Sequence, residues 1–322
     1  MRFHGVEMPV VDTHADSLGA VLRQERHLYE RSDEGQLDFP RMLEGGHTLQ
    51  FFSLWVEPDY KPERALARLL QYIDAFWLEI GSHPDLIQPV SDWPSLEAVL
   101  KSGKIGGVPS IEGAEGVGTD PAVVRLLHRL GVRLMSLTWN ERNALADGAG
   151  EEPGGGGVSR AGRAIIQEMN RVNMIVDVSH IAEAGFWDVL EISERPVIAS
   201  HSNCRELAPH RRNLSDAQIR ALAQQGGVQG ITFVRPFLGG REDLDRVIDH
   251  MAHATDAVGS DQHVGLGSDF DGVDKAVTGL EDVTMLPRLA ERMSARNFSD
   301  ETIQRVLGYN YIEFLKKTWT SQ

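Results

Sequence analysis

The chain has 322 residues, 41% apolar and 25% charged, the balance of a soluble globular protein with a sizeable core. Its net charge of −15, with no basic block, excludes phosphate-backbone binding, so nucleic acid is not an expected partner. Cys204 is the single cysteine, which rules out an intrachain disulfide and fits a reducing compartment. MRFHGVEMPVVDTHAD lacks the long apolar core of a signal peptide, and no uninterrupted apolar run reaches about 18 residues. No membrane span is expected, and the expected location is cytoplasmic.

In chain order, short β-branched runs alternate with longer amphipathic segments, the pattern of an α/β fold with a parallel sheet. Strands are predicted at 9–14, 47–56, 104–111, 132–138, 173–179, 196–200, 227–233 and 263–268. After the second, PERALARLLQYIDAFWLEIGS places Ala65, Leu69, Leu70, Ile73 and Phe76 on one helical face. DPAVVRLLHRLG opens with Asp120 as cap and Pro121 at the first position, and stops at Gly131. The cluster Gly154 to Gly157 lacks the Lys-Ser/Thr ending of a phosphate loop and is expected to be a mobile loop near a barrel mouth. Ser159 caps the next helix, LSDAQIRALAQQGG runs into a double-Gly stop, and two or three closing helices follow the eighth strand. Eight strands with crossover helices predict an α/β fold: a (β/α)8 TIM-type barrel with additional C-terminal helices, one domain over residues 1–322, in preference to an open doubly wound sheet.

Residues able to hold a divalent metal stand at the ends of five of these runs. They are His14 and Asp16 in VVDTHAD, Glu112 in GGVPSIEG, His180 in MIVDVSH, His201 in PVIASHS, and Asp269 in VGLGSDFDG. A parallel barrel gathers such strand ends onto one face. His14 and Asp16 are two apart, so on a strand they share a side. Glu112 has two oxygens and can bridge two cations, which one imidazole nitrogen cannot do. Glu115 is its rival, but it lies beyond the strand. His180 and His201 end consecutive strands, and neutral imidazole is the commonest protein metal ligand. Asp269, with Asp271 as its rival, is placed to take a proton from a metal-bound water and pass it to a leaving amine. Each residue alone reads as a turn cap or a hydrogen-bonded core-edge histidine; their shared register favours a metallohydrolase. The remaining histidines read as surface or packing residues, with His47 and His263 nearest to strands. Two Zn2+ ions about 3.5–4 Å apart would share a hydroxide and polarise the scissile carbonyl. No GxSxG motif is present, and Cys204 near His201 is not a dyad signature.

The ordered fragments DTHAD, SIEGAE, GGGVSRAGRAIIQEMNRVNMIVDVSH, PVIASHSNC, HRRNLSD and HVGLGSDFDG resemble the renal (membrane) dipeptidase family, a branch of the amidohydrolase-like barrels. The resemblance runs from His14 to Gly272, with family-like helices after it. It implies a zinc-dependent dipeptidase acting on small dipeptides, including L-Xaa-D-Xaa, through a metal-bridging hydroxide, and a homodimer. It implies His14 and Asp16 as ligands of one zinc, Glu112 as the bridging carboxylate, and His180 and His201 as ligands of the second zinc. Mn2+ or Co2+ would suit the same donors. It further implies Asp269 as the catalytic acid/base and Arg212 as the contact to a substrate carboxylate. The well-known animal members carry a substrate-binding histidine in an LTH context; here SLTWNERNALADG puts Trp139 at that position. Indole N–H can still donate a hydrogen bond, and Asn140 or Asn143 is a candidate substitute donor. The rival readings are another binuclear amidohydrolase-type enzyme (cleaving an N-acyl amino acid, lactone or phosphoester) and a non-hydrolytic family member.

Overall fold

Eight parallel strands close on themselves in the computed structural model, which describes residues 1–320. They are β1 (Val11–Ala15), β2 (Leu49–Trp55), β3 (Ile105–Glu112), β4 (Leu134–Ser136), β5 (Ile175–Asp177), β6 (Ile198–Ala199), β7 (Val228–Ile231) and β8 (Val264–Leu266). Each overlaps one of the eight predicted runs, β1 and β3 ending one residue beyond the predicted bounds. Neighbours along the sheet are β2-β1-β8-β7-β6-β5-β4-β3, and a β2–β3 ladder from Leu49↔Gly106 to Trp55↔Glu112 closes the ring. The strands are buried on both faces, which is why they read as near-continuous apolar runs without alternation. Two small elements were not predicted: a hairpin of Arg2–Phe3 with Val6–Glu7, and a strand Ile87–Pro89 flanking β3. Both are too short to carry a periodic signal, and Pro89 argues against a strand in sequence.

The helix Ala65–Ser82 buries Ala65, Leu69, Ile73 and Phe76 as predicted, but Leu70 is 43% exposed. Five residues beyond Ala65 is about 1.4 turns, so Leu70 falls off the inward stripe. The expected caps form: Asp120 accepts from Ala122 N, Ser159 from Gly162 N, and Ser215 with Gln218 makes a capping box. Amides in and just after the glycine cluster are anchored, Gly156 N on Asp147 and Val158 N on Asp188 Oδ2 at 2.7 Å. Three closing helices follow β8, Leu286–Ala295, Asp300–Gln304 and Asn310–Thr320, the last two joined by a π-helical turn. The final helix seats Tyr311 against β7 and β8, its hydroxyl 3.1 Å from Thr13 Oγ1 of β1. A Cβ on Gly265 would lie 2.2 Å from that ring, so glycine there admits the plug.

Candidate metal centre

The C-terminal ends of β1, β3, β5, β6 and β8 deliver all six expected side chains to one buried cluster. Glu112 stands at its middle. Its Oε2 is 3.3 Å from His14 Nε2; its Oε1 is 2.8 Å from His180 Nε2 and 3.7 Å from His201 Nε2. On the far side, His14 Nε2 is 3.5 Å from Asp16 Oδ2 and 3.9 Å from Asp269 Oδ1. The Nε2 atoms of His180 and His201 face each other at 2.7 Å. Ligand atoms of His14, Glu112 and His201 all lie within 4.8 Å of one another, and so do those of His14, Asp16 and Asp269. One carboxylate thus turns an oxygen to each half, as a bridging ligand must.

Hydrogen bonds from below aim these groups. Asp12 Oδ1 accepts from His14 N (3.1 Å) and Ser268 N (2.9 Å), tying the β1 end to the β8 end. Asp177 Oδ1 accepts from Ser179 N and Ser200 N, each at 2.9 Å, and does the same for β5 and β6. Ser200 Oγ donates to Asp177 Oδ2 at 2.5 Å and lies 2.7 Å from His201 Nδ1. The serine proton is directed at Asp177, so His201 Nδ1–H donates to Oγ and the Nε2 lone pair faces the cluster. His180 Nδ1 is 3.0 Å from Asn140 Oδ1, which only accepts, and that fixes the same tautomer. Sequence reasoning missed Asp12, Asp177 and Ser200. The signal was a lone carboxylate inside each of two apolar runs, VVDTHAD and MIVDVSH. His180 (φ +70°) and Asp269 (φ +66°) sit in the left-handed region, a strain of about 1–3 kcal/mol each that the surrounding bonds hold.

The donor set fits divalent cations. Nε2 of His14 and Oδ1 of Asp16 are buried with no hydrogen-bond partner, an arrangement that is costly unless an ion satisfies them. With the protein's charges alone, burial works against charge on His14, but Glu112 and Asp16 override it and hold its pKa well above the usual range. Burial likewise opposes ionised Glu112, yet His14 and His180 pull it well below the ordinary carboxylate value. Burial, then Asp16 and Glu112 against the pull of His14, push Asp269 well up. Burial and Arg212 lower His180 to about 3, and burial with His14 and Arg212 lowers His201 strongly. Both are therefore neutral at physiological pH, the ligating form. Gly272 completes the cradle: a Cβ there would lie 2.2 Å from both Asp16 Oδ2 and Asp269 Oδ1. Gly272→Ala is expected to weaken metal affinity about 10–100-fold, the scale of disturbed ligand support, as measured by chelator competition.

Around the cluster, Arg212 is buried behind His201, donating from Nη2 to His201 O at 3.2 Å, its guanidinium 5.6 Å from the Phe237 ring centre. Burial lowers its pKa to about 10, still leaving it charged. Trp139 stacks on His180 with ring centres 5.9 Å apart and packs on Trp55 at 5.2 Å. Both tryptophans, with Tyr72 and Asn140, wall a 320 Å³ cavity that reaches Asp16, Glu112 and Asp269. Asn143 does not join them. Its Nδ2 donates to Leu137 O (2.7 Å) and its Oδ1 accepts from Leu145 N (2.8 Å), so the amide builds its own turn. The rivals are engaged elsewhere: Asp271 by Arg26 (2.6 Å) and Gln36 N (2.5 Å), and Glu115 by Lys61 (3.5 Å). His47 and His263 lie outside the cluster; His263 Nδ1 donates to Gly227 O.

The family model for membrane dipeptidases (peptidase family M19) matches residues 3–321. The chain is 34% identical over 296 residues to dipeptidase tcpJ of Claviceps purpurea (strain 20.1), covering 88% of this chain and 69% of that protein. It is 34% identical over 328 residues to dipeptidase aclJ of Aspergillus oryzae, covering 96% and 78% respectively. A metallopeptidase from Rhodobacter sphaeroides, solved with a phosphinate mimic of the dipeptide L-Ala-D-Ala, superposes with a TM-score of 0.91 at 29% identity, over 98% of this chain and 100% of that one. Among the described residues no helix is long and apolar enough to cross a membrane. With a buried His/carboxylate cluster at the mouth of the same barrel, the chain belongs to the membrane dipeptidase family and is a metal-dependent hydrolase of small dipeptides.

Proposed function

We propose that this centre takes two Zn2+ ions and that the enzyme cleaves dipeptides including those of L-Xaa-D-Xaa form. The observation that carries this reading is Glu112, with one oxygen toward each half of the donor set. His14 and Asp16 would complete one half, His180 and His201 the other; Mn2+ or Co2+ suit the same donors. Bound ions there supply Lewis acidity toward the scissile carbonyl and lower the pKa of water. The D-residue is supported by the L-Ala-D-Ala mimic held by the Rhodobacter sphaeroides relative.

The chain's own groups would orient the substrate and move the proton. Asp269, at the cavity floor, takes a proton from the nucleophile and delivers it to the departing amine. Arg212 offers a guanidinium whose Nε is without a partner, suited to the substrate carboxylate. Trp139 and Trp55 narrow the cavity and keep water from the bond being cleaved. A homodimer is supported by the exposed Leu66, Leu70, Trp77 and Leu78 of the helix Ala65–Ser82, together with the exposed Leu126 of the helix Pro121–Arg129 and its cap Leu130, whose carbonyl accepts from Trp77 Nε1. A cytoplasmic location is supported by the lone, buried Cys204.

The test is a screen of L,L and L,D dipeptides on zinc-reconstituted protein, with metal analysis alongside. Two metals per chain and dipeptide turnover that a chelator abolishes and zinc restores are expected. Cleavage confined to N-acyl amino acids, lactones or phosphoesters would overturn the proposal.

A further inference from the structure

Across His180 from the cavity just described lies a second one, of 310 Å³. Its wall carries Arg205, Arg211 and Arg212 together with Glu152 and Glu183. Arg205 is neutralised by Glu183, Nη1 to Oε2 at 2.7 Å, and Glu152 accepts the Glu183 amide at 2.8 Å. Among the described residues, neither Arg211 nor Arg212 forms an ion pair. Arg212 has a partnerless Nε in a side chain only 4% exposed. Arg211 stands at the opening and makes one long bond, 3.4 Å, to Gly150 O. Acidic residues outnumber basic ones by 47 to 32 in this chain, so partners for two adjacent guanidiniums were available in quantity. A substrate with a neutral C-terminal residue brings one carboxylate, which Arg212 accommodates. It leaves Arg211 without an anion.

We infer that this second cavity receives the side chain of the substrate's C-terminal residue, and that Arg211 selects a dicarboxylic residue there, aspartate or glutamate. The inference rests on the dipeptidase reading and names the substrate class of that site. Arg212 pairs with the main-chain carboxylate and Arg211 with the side-chain one, two charge-assisted contacts from consecutive residues of one loop. Arg211 acts here as a specificity residue and has no part in bond cleavage.

Calorimetric titration of the zinc-loaded protein with free glutamate and free glutamine, in both D and L forms, reads this subsite without turnover. Glutamate is expected to bind at least tenfold more tightly than glutamine. The ratio should fall below threefold in Arg211→Gln and recover in part in Arg211→Lys. Equal affinities in the wild type overturn the inference, as does a preference that Arg211→Gln leaves unchanged. Selective glutamate binding without cleavage of any dipeptide would sink the dipeptidase reading and uphold this site. Cleavage of neutral dipeptides, with no preference for C-terminal Asp over Asn, does the reverse.

Discussion

Glu112→Gln is expected to reduce bound metal below one ion per chain and to cut kcat/KM by roughly 10³-fold. Glu112 faces both halves of the donor set, 3.3 Å from His14 and 2.8 Å from His180, so neither half keeps its full negative charge without it. Loss of Lewis-acid stabilisation worth about 4 kcal/mol corresponds to that rate effect. Metal analysis and activity on the same sample check both halves of the statement; a variant that keeps two ions and full turnover would remove Glu112 from the centre. The fold should survive, because glutamine preserves shape and the barrel ladder through Trp55↔Glu112 uses backbone atoms. A sign follows for pH. The raised pKa values of His14 and Asp269 mean that both hold protons to a higher pH than usual when only protein charges surround them. Cations must expel those protons, so metal affinity weakens as pH falls. Proton release on zinc loading, read by calorimetry in buffers of different ionisation enthalpy, should be smaller in Glu112→Gln.

Asp269→Asn is expected to behave differently: metal retained, kcat lowered by about 10²–10⁴-fold, the usual size of a lost acid/base group. The amide keeps an oxygen toward His14 but cannot accept and return a proton. Its backbone sits at φ +66°, a conformation asparagine tolerates better than most residues, which makes this substitution the least disruptive choice. KM should change less than kcat, because the lost interaction belongs to the proton transfer and not to substrate binding. An equal fall in metal content would instead make Asp269 a ligand, consistent with its membership of the His14–Asp16 group.

The barrel was legible in sequence because its eight strands are largely buried on both faces and carry predominantly apolar, β-branched runs. The candidate ligands were legible for a related reason: His and acidic residues at five of the eight strand ends interrupt the local apolar pattern in one register. Leu70 shows where such reading fails, since apolar character alone did not say that its side chain lies off the inward stripe. Asn143 failed for a different reason. Its loop follows β4, and an asparagine amide in a loop can face a ligand or satisfy its own turn; periodicity does not separate the two. The layer beneath the ligands depends on pairings between strands, such as Asp12 with Ser268 and Asp177 with Ser200. A linear reading holds no information about which strand ends become neighbours until the order of the sheet is known.

The closing ladder between β2 and β3 has a further consequence. The six side chains of the centre are contributed by β1, β3, β5, β6 and β8, so every arc of the ring supplies part of it. A fragment lacking any of these five strands lacks part of the donor set. Catalytic turnover in this protein is therefore a report on the completed circle: a truncation that removes β1 or β8 takes candidate ligands with it and is expected to abolish activity, while a cut in an exposed loop that leaves the ring closed is not.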